Sequence, residues 1–156
     1  MGDFDFLSGS WDIANRRLTT LLAGRDEWDE FPATSCCIPF FGGAANAEEY
    51  VCPAKGFRGL SIRSFDPARE EWSIWWVNSR DGRLQPPVHG RFDAERLGTF
   101  YGDDTHDGTP DGTPVRVRYL WSRITPVSAR WEQAFSVDGE QTWETNWIMD
   151  LTRRMD

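Results

Sequence analysis

The sequence predicts an all-β fold, a closed antiparallel meander barrel of about eight to ten strands. Three observations lead there. Short runs rich in aromatic and branched residues alternate with period two rather than 3.6. Gly, Pro, Asp and Asn punctuate the 156 residues every eight to twelve positions or so. Late strands pair a strongly aromatic face with a partly apolar opposite face, which suits a sheet closed on itself better than an open one.

In chain order, strands are expected at residues 11–18, 31–41, 46–52, 57–65, 71–78, 88–92, 98–101, 115–124, 130–137 and 143–152. Residues 17–30 are the least strand-like stretch, with Leu18, Leu21 and Leu22 spaced to suit one helical turn or a long cap over a barrel mouth. Asp66-Pro67, Asp81-Gly82, Asp111-Gly112 and Asp138-Gly139 supply a preset φ or a residue tolerant of positive φ between alternating runs, so they mark hairpins. The repeat Asp107-Gly108-Thr109-Pro110, Asp111-Gly112-Thr113-Pro114 lengthens one hairpin loop. Alternation is cleanest late in the chain. Val115, Val117, Tyr119 and Trp121 share one face with Arg116, Arg118 and Ser122 opposite, and Trp131, Gln133 and Phe135 repeat the pattern. Trp143, Thr145, Trp147, Met149 and Leu151 read as a third such face, with Glu144, Asn146 and Asp150 opposite. No linker interrupts the chain, so residues 1–156 read as a single domain.

Charge excludes several functions. With 17 Lys plus Arg against 25 Asp plus Glu, the net charge of −8 repels nucleic acid and anionic membranes, and no basic patch offsets it. No apolar run nears the roughly 20 residues of a membrane span, and the first residues have neither a basic stretch nor an apolar core of a signal peptide. A cytoplasmic location is expected. The three Cys agree: an odd count argues against a disulfide framework, and buried, inert thiols are the expectation. Cys36 or Cys37 becomes a nucleophile only if His89 lies beside it in space. No metal or other cofactor is expected. His89 and His106 lack ligand pairs at zinc spacing, and the acidic loop from Asp103 to Gly108 lacks the bidentate Glu of a calcium loop. No glycine-rich phosphate loop precedes a helix.

The segment Gly9-Ser10-Trp11 at the start of the first strand, with Arg153 and Arg154 ending the last, is similar to the lipocalin and wider calycin arrangement, in which the Trp closes one barrel end and a late Arg stacks over it. Over nearly its full length the chain resembles a small uncharacterised bacterial family of calycin-like barrels. This likeness is carried by Phe4-Asp5-Phe6-Leu7-Ser8-Gly9-Ser10-Trp11, Phe41-Gly42-Gly43, Trp72-Ser73-Ile74-Trp75-Trp76-Val77, Phe100-Tyr101-Gly102-Asp103-Asp104, Trp131-Glu132-Gln133-Ala134-Phe135-Ser136 and Trp143-Glu144-Thr145-Asn146-Trp147. The resemblance implies the fold and no settled activity. The doubled Asp-Gly-Thr-Pro loop departs from it, as a longer lid or a surface insertion. Haem-binding calycins use a late-strand His, and none lies beyond His106 here, so haem is not expected.

A barrel that binds a ligand sets a few polar groups in an apolar cavity to orient it. The candidates for ligand contact are Arg63, Trp76, Asn78, Trp121, Trp131, Gln133, Asn146 and Trp147. Arg58 is a further polar residue on the strand of Arg63. An inward Arg would suit a carboxylate or enolate. Arg118, Tyr119, Glu49 and Glu144 are the catalytic candidates, Arg118 and Tyr119 to polarise a carbonyl and Glu49, Tyr119 or Glu144 for a proton-transfer step. Which strand face looks inward is left open. Trp75 and Trp76 must point to opposite faces, so one packs outside, and an exposed aromatic strip there would mark a homodimer interface. The expected function is binding of a small hydrophobic or planar, polyketide-like molecule, with a cofactor-independent isomerase, cyclase or lyase of bacterial secondary metabolism leading. A non-catalytic carrier or sensor and a filled-barrel protein-interaction module are the alternatives.

Overall fold

A computed structural model describes residues 2–155. Ten strands follow one another: β1 (Gly9–Leu18), β2 (Trp28–Phe40), β3 (Ala45–Cys52), β4 (Phe57–Asp66), β5 (Glu71–Asn78), β6 (Val88–Phe92), β7 (Gly98–Thr105), β8 (Pro114–Ser122), β9 (Ser128–Ser136) and β10 (Glu144–Arg153). Each pairs antiparallel with the next, and β10 pairs back to β1, from Trp11 opposite Arg153 to Arg17 opposite Trp147. The meander is a closed barrel of calycin or lipocalin type, as expected. No helix among the described residues is long and apolar enough to cross a membrane.

Two expectations about elements change. Residues 17–30 form no helical turn: Arg17 and Leu18 continue β1, Trp28 opens β2, and the loop between them packs Leu21 and Leu22 against the core. Its anchor is the backbone N–H of Leu22, which donates to Glu144 Oε1 at 2.7 Å. The second change is in β10, where the pairing with β9 slips between Thr145 and Trp147. A bulge adds one residue and so reverses the alternation on either side of it. Trp143 and Thr145 therefore leave the aromatic face on which they were expected, and Asn146 turns into the protein, 1% exposed.

One barrel end is plugged. A 3₁₀ turn (Asp5–Leu7) carries Phe4 and Leu7 into the core, and the Phe4 ring meets Trp72 and Phe92 edge-on, each at 4.9 Å. Trp11 Nε1 donates to the carbonyl of Leu7 at 2.8 Å. The Arg153 guanidinium lies 4.3 Å from the Trp11 ring centroid and donates to the carbonyls of Phe6, Ser8 and Pro126. Gly9 is required beside it, because its φ is +110° and a Cβ there would lie 2.8 Å from Arg153 Nη1. This is the Trp and Arg closure that the calycin resemblance implies.

Outside the barrel, Ile38, Ala47, Ile62 and Trp75 stand opposite one another across β2 to β5 and form an apolar row. Phe40 and Phe41 extend it, Phe41 being 81% exposed. Trp75 is thus the outward member of the Trp75-Trp76 pair.

Candidate functional site

Paired residues share a face of the sheet, so the registers decide what looks inward. Ile13, Tyr50, Ser61, Arg63, Trp76, Tyr119, Trp131, Gln133 and Trp147 all fall on the inner face. They do not fill the interior. An aromatic cavity of about 70 Å³ is left between the plug and the opposite barrel end. A collar of Trp76, Tyr119, Gln133 and Trp147 separates it from a polar vestibule of about 170 Å³. The vestibule opens between the β5–β6 and β7–β8 loops, where Gln85, His106 and Asp107 form part of its rim. The lengthened Asp-Gly-Thr-Pro loop therefore stands at the mouth.

Three polar arrangements line this space. At its inner end, Arg63 Nη2 donates to Glu48 Oε1 at 2.6 Å and Nη1 to Asn46 Oδ1 at 2.9 Å. Arg63 is 4% and Glu48 7% exposed, and the guanidinium lies 5.2 Å from the Phe4 ring and 5.7 Å from that of Trp121. Arg63 Nε and Trp121 Nε1 have no hydrogen-bond partner among the described residues. On one side, Asn15 Oδ1 accepts from Tyr50 Oη at 2.8 Å and from Trp147 Nε1 at 3.0 Å, while its Nδ2 donates to the carbonyl of Phe31 at 3.1 Å. Burial raises the Tyr50 pKa further than Asn15 and the nearby Arg17 lower it. On the other side, Gln133 Nε2 donates to Asn146 Oδ1 at 2.8 Å, and its cross-strand neighbour Tyr119 makes no hydrogen bond through its hydroxyl among the described residues. Burial first, and Asp104 second, push the Tyr119 phenol up to about 12, so it stays protonated at neutral pH as a donor.

Of the expected ligand contacts, Arg63, Trp76, Trp121, Trp131, Gln133 and Trp147 stand on the cavity wall and Asn78 on the vestibule wall. Asn146 stands behind Gln133, which it orients. Of the expected catalytic residues, only Tyr119 reaches the cavity. Arg118 lies on the outer face, opposite Tyr101 and Ala134, with its guanidinium 4.7 Å from the Trp143 ring. Glu49 points outward to Arg58 at 3.2 Å, so Arg58 is not an inward group either. Glu144 sits at the rim and holds the β1–β2 loop through Leu22. Strand parity turns Arg118 and Glu49 outward, whereas Glu144 stands opposite the inward Phe135 at the start of β10 and is engaged by the backbone of Leu22.

Six inner polar residues were not singled out by the sequence: Asn15, Arg17, Asn46, Glu48, Tyr50 and Ser61. Glu48 and Glu49 are adjacent and of one type, so only the pairing of β3 distinguishes them; the parity Asn46, Glu48, Tyr50, Cys52 was the available signal. Arg17 falls both in the expected strand 11–18 and in the stretch 17–30 expected as a helical turn or cap, so the alternation of β1 was not carried through to it.

The thiols divide. Cys37 and Cys52 are buried as expected, whereas Cys36 is exposed. Burial pushes the Cys37 thiol up to about 12 against the lowering effect of Arg63. His89 lies on the outer face of β6 with Nδ1 2.7 Å from Ser73 Oγ, four strands along the sheet from β2, so it activates neither Cys36 nor Cys37. Among the described residues no three His, Cys, Asp or Glu side chains gather as metal ligands. Compared with protein-family models and with curated proteins, the chain matches none.

Proposed function

We propose that the barrel binds one small planar molecule, reached through the vestibule and held in the aromatic cavity, as a lipocalin-like carrier or sensor does. The observation that carries this reading is the unfilled cavity itself, with the unengaged Tyr119 hydroxyl and the unpartnered Arg63 and Trp121 donors on its wall. A side-chain-filled barrel acting only as an interaction surface would not leave these groups around open space.

Size narrows the ligand. A water needs about 10–15 Å³ of such volume and a benzene-binding cavity offers about 150 Å³, so about 70 Å³ holds only part of a ring system. The ligand must therefore pass the collar. Even taken together, cavity and vestibule fall short of the roughly 300 Å³ of a drug-sized site, which favours one or two fused rings over a larger polyketide-like skeleton.

The test is an NMR titration with 2-naphthamide that follows the indole N–H signals. Those of Trp76, Trp121, Trp131 and Trp147 should shift. Those of Trp11 and Trp72, hydrogen-bonded to Leu7 and Asp3 at the plugged end, should not. No shift at millimolar ligand would sink the proposal.

One observation favours a second reading, a cofactor-free isomerase, cyclase or lyase: a protonated Tyr119 on β8 and the carboxylate of Glu48 on β3 both line the cavity, from opposite sides of the barrel. Tyr119 would donate to a developing enolate oxygen while Glu48 takes the α-proton. Exchange of the α-protons of 2-tetralone into deuterated water should then be accelerated by the wild type and not by Tyr119→Phe. No acceleration by the wild type removes this reading. Membership of the bacterial calycin-like family belongs to the same proposal, on the strength of the plugged end and the Trp11 and Arg153 stack.

A further inference from the structure

Among the described residues, Arg17 is the one inner-face guanidinium that no carboxylate neutralises. It lies over Trp147, 4.3 Å from the ring centroid, at the boundary of collar and vestibule. Among the described residues its side chain makes no ion pair and no hydrogen bond. The cross-strand neighbour that would pair with it, Asp29, is engaged by Lys55. Burial lowers the pKa of Arg17, Tyr50 opposes this, and the charge of Arg80 adds to it. Holding a guanidinium there without a counter-ion costs free energy. Over the ring, its N–H donors remain without partners among the described residues, and a guanidinium with free donors can hold a carboxylate through two parallel hydrogen bonds. Asn78 supplies a further donor on the same wall, since its Oδ1 is occupied by the backbone N–H of Arg80.

The vestibule also carries aspartates, and they are otherwise engaged. Asp103 faces Arg116 at 3.4 Å, Asp107 accepts from the backbone and side chain of Thr109, Asp81 accepts from the backbone of Arg83, and Asp104 accepts from the backbone of Thr105. None of them lies within ion-pair distance of Arg17.

We propose that the ligand is an anionic planar molecule, its rings across the collar and its carboxylate paired with Arg17. This rests on the binding reading above and names the chemical class that the site selects. Two isosteric probes separate the two claims: 2-naphthoate and the uncharged 2-naphthamide, titrated calorimetrically into the wild type, Arg17→Met and Arg17→Lys. The wild type should bind naphthoate at least 10-fold tighter than naphthamide, as a charge-assisted pair implies. Arg17→Met should abolish that preference, weakening naphthoate binding far more than naphthamide binding, and Arg17→Lys should keep part of it. Equal binding of both probes by the wild type overturns the anion inference and leaves the binding reading standing, as does an undiminished preference in Arg17→Met. Binding of neither at millimolar concentration overturns both.

Discussion

Removing the positive partner of the Arg63–Glu48 pair should destabilise the protein far more than removing the pair. The two groups are 2.6 Å apart with side chains 5% and 8% exposed, so each charge has given up nearly all its water for the other. Arg63→Met keeps the aliphatic stem between Phe4 and Trp121 but leaves the Glu48 carboxylate buried and uncompensated. Breaking a buried pair in this way costs about 3–5 kcal/mol. At about 2–4 °C per kcal/mol for a chain of this size, the melting temperature should fall by roughly 6–20 °C. Glu48→Met alone strands the guanidinium, which retains Asn46, and should cost a similar amount. The double variant Arg63→Met/Glu48→Met strands neither charge and should fall well short of the two losses combined, with a coupling of about 2 kcal/mol or more. Urea unfolding followed by tryptophan fluorescence measures all four proteins. Additive losses would refute the reasoning, since they would mean that the two groups remain solvated or find other partners.

A Cβ at Gly59 would lie 1.8 Å from the Trp76 ring, so Gly59→Ala should push that ring into the cavity; weaker 2-naphthamide binding and a lower melting temperature are expected. Asp138 accepts hydrogen bonds from Thr142 and Ser136, which hold its carboxyl down at about 2. A folded pKa below the unfolded value of about 3.9 means stability that is present above about pH 4 and lost as pH falls towards 2. The stability gap between wild type and Asp138→Asn should therefore be constant above about pH 5 and close by about pH 2 in pH-dependent thermal melts. Of the thiols, Cys36 alone should react with a disulfide reagent in the native state, and all three after denaturation; fast native reaction of Cys37 would contradict its burial.

The barrel was legible in the order of residues because its causes are local. Period-two alternation in Val115 to Trp121 puts side chains on opposite faces whatever surrounds the strand, and Asp81-Gly82 and Asp138-Gly139 turn the chain by their own backbone preferences. The Trp11 and Arg153 closure was expected only from the resemblance carried by Gly9-Ser10-Trp11 and the late arginines, and the seating of Phe4 and Leu7 beneath it came from the tertiary structure. Parity is a different matter. Alternation says that Glu48 and Glu49, or Tyr119 and Arg118, face opposite ways, and only closure of β10 onto β1 makes one of those faces the inside. The bulge at Asn146 reversed that choice for Trp143 within a single strand, and no local signal announces a bulge whose function is to bring Asn146 beside Gln133. Whether an inward arginine is neutralised or available is likewise decided by partners distant in sequence. Glu48 neutralises Arg63, while Lys55 takes the Asp29 that would have paired with Arg17. The residue order alone determined the fold and the apolar character of its interior. Tertiary structure decided which face is the inside and which charge there has no partner, because ion pairing depends on distances of a few ångströms between strands, which local sequence does not encode.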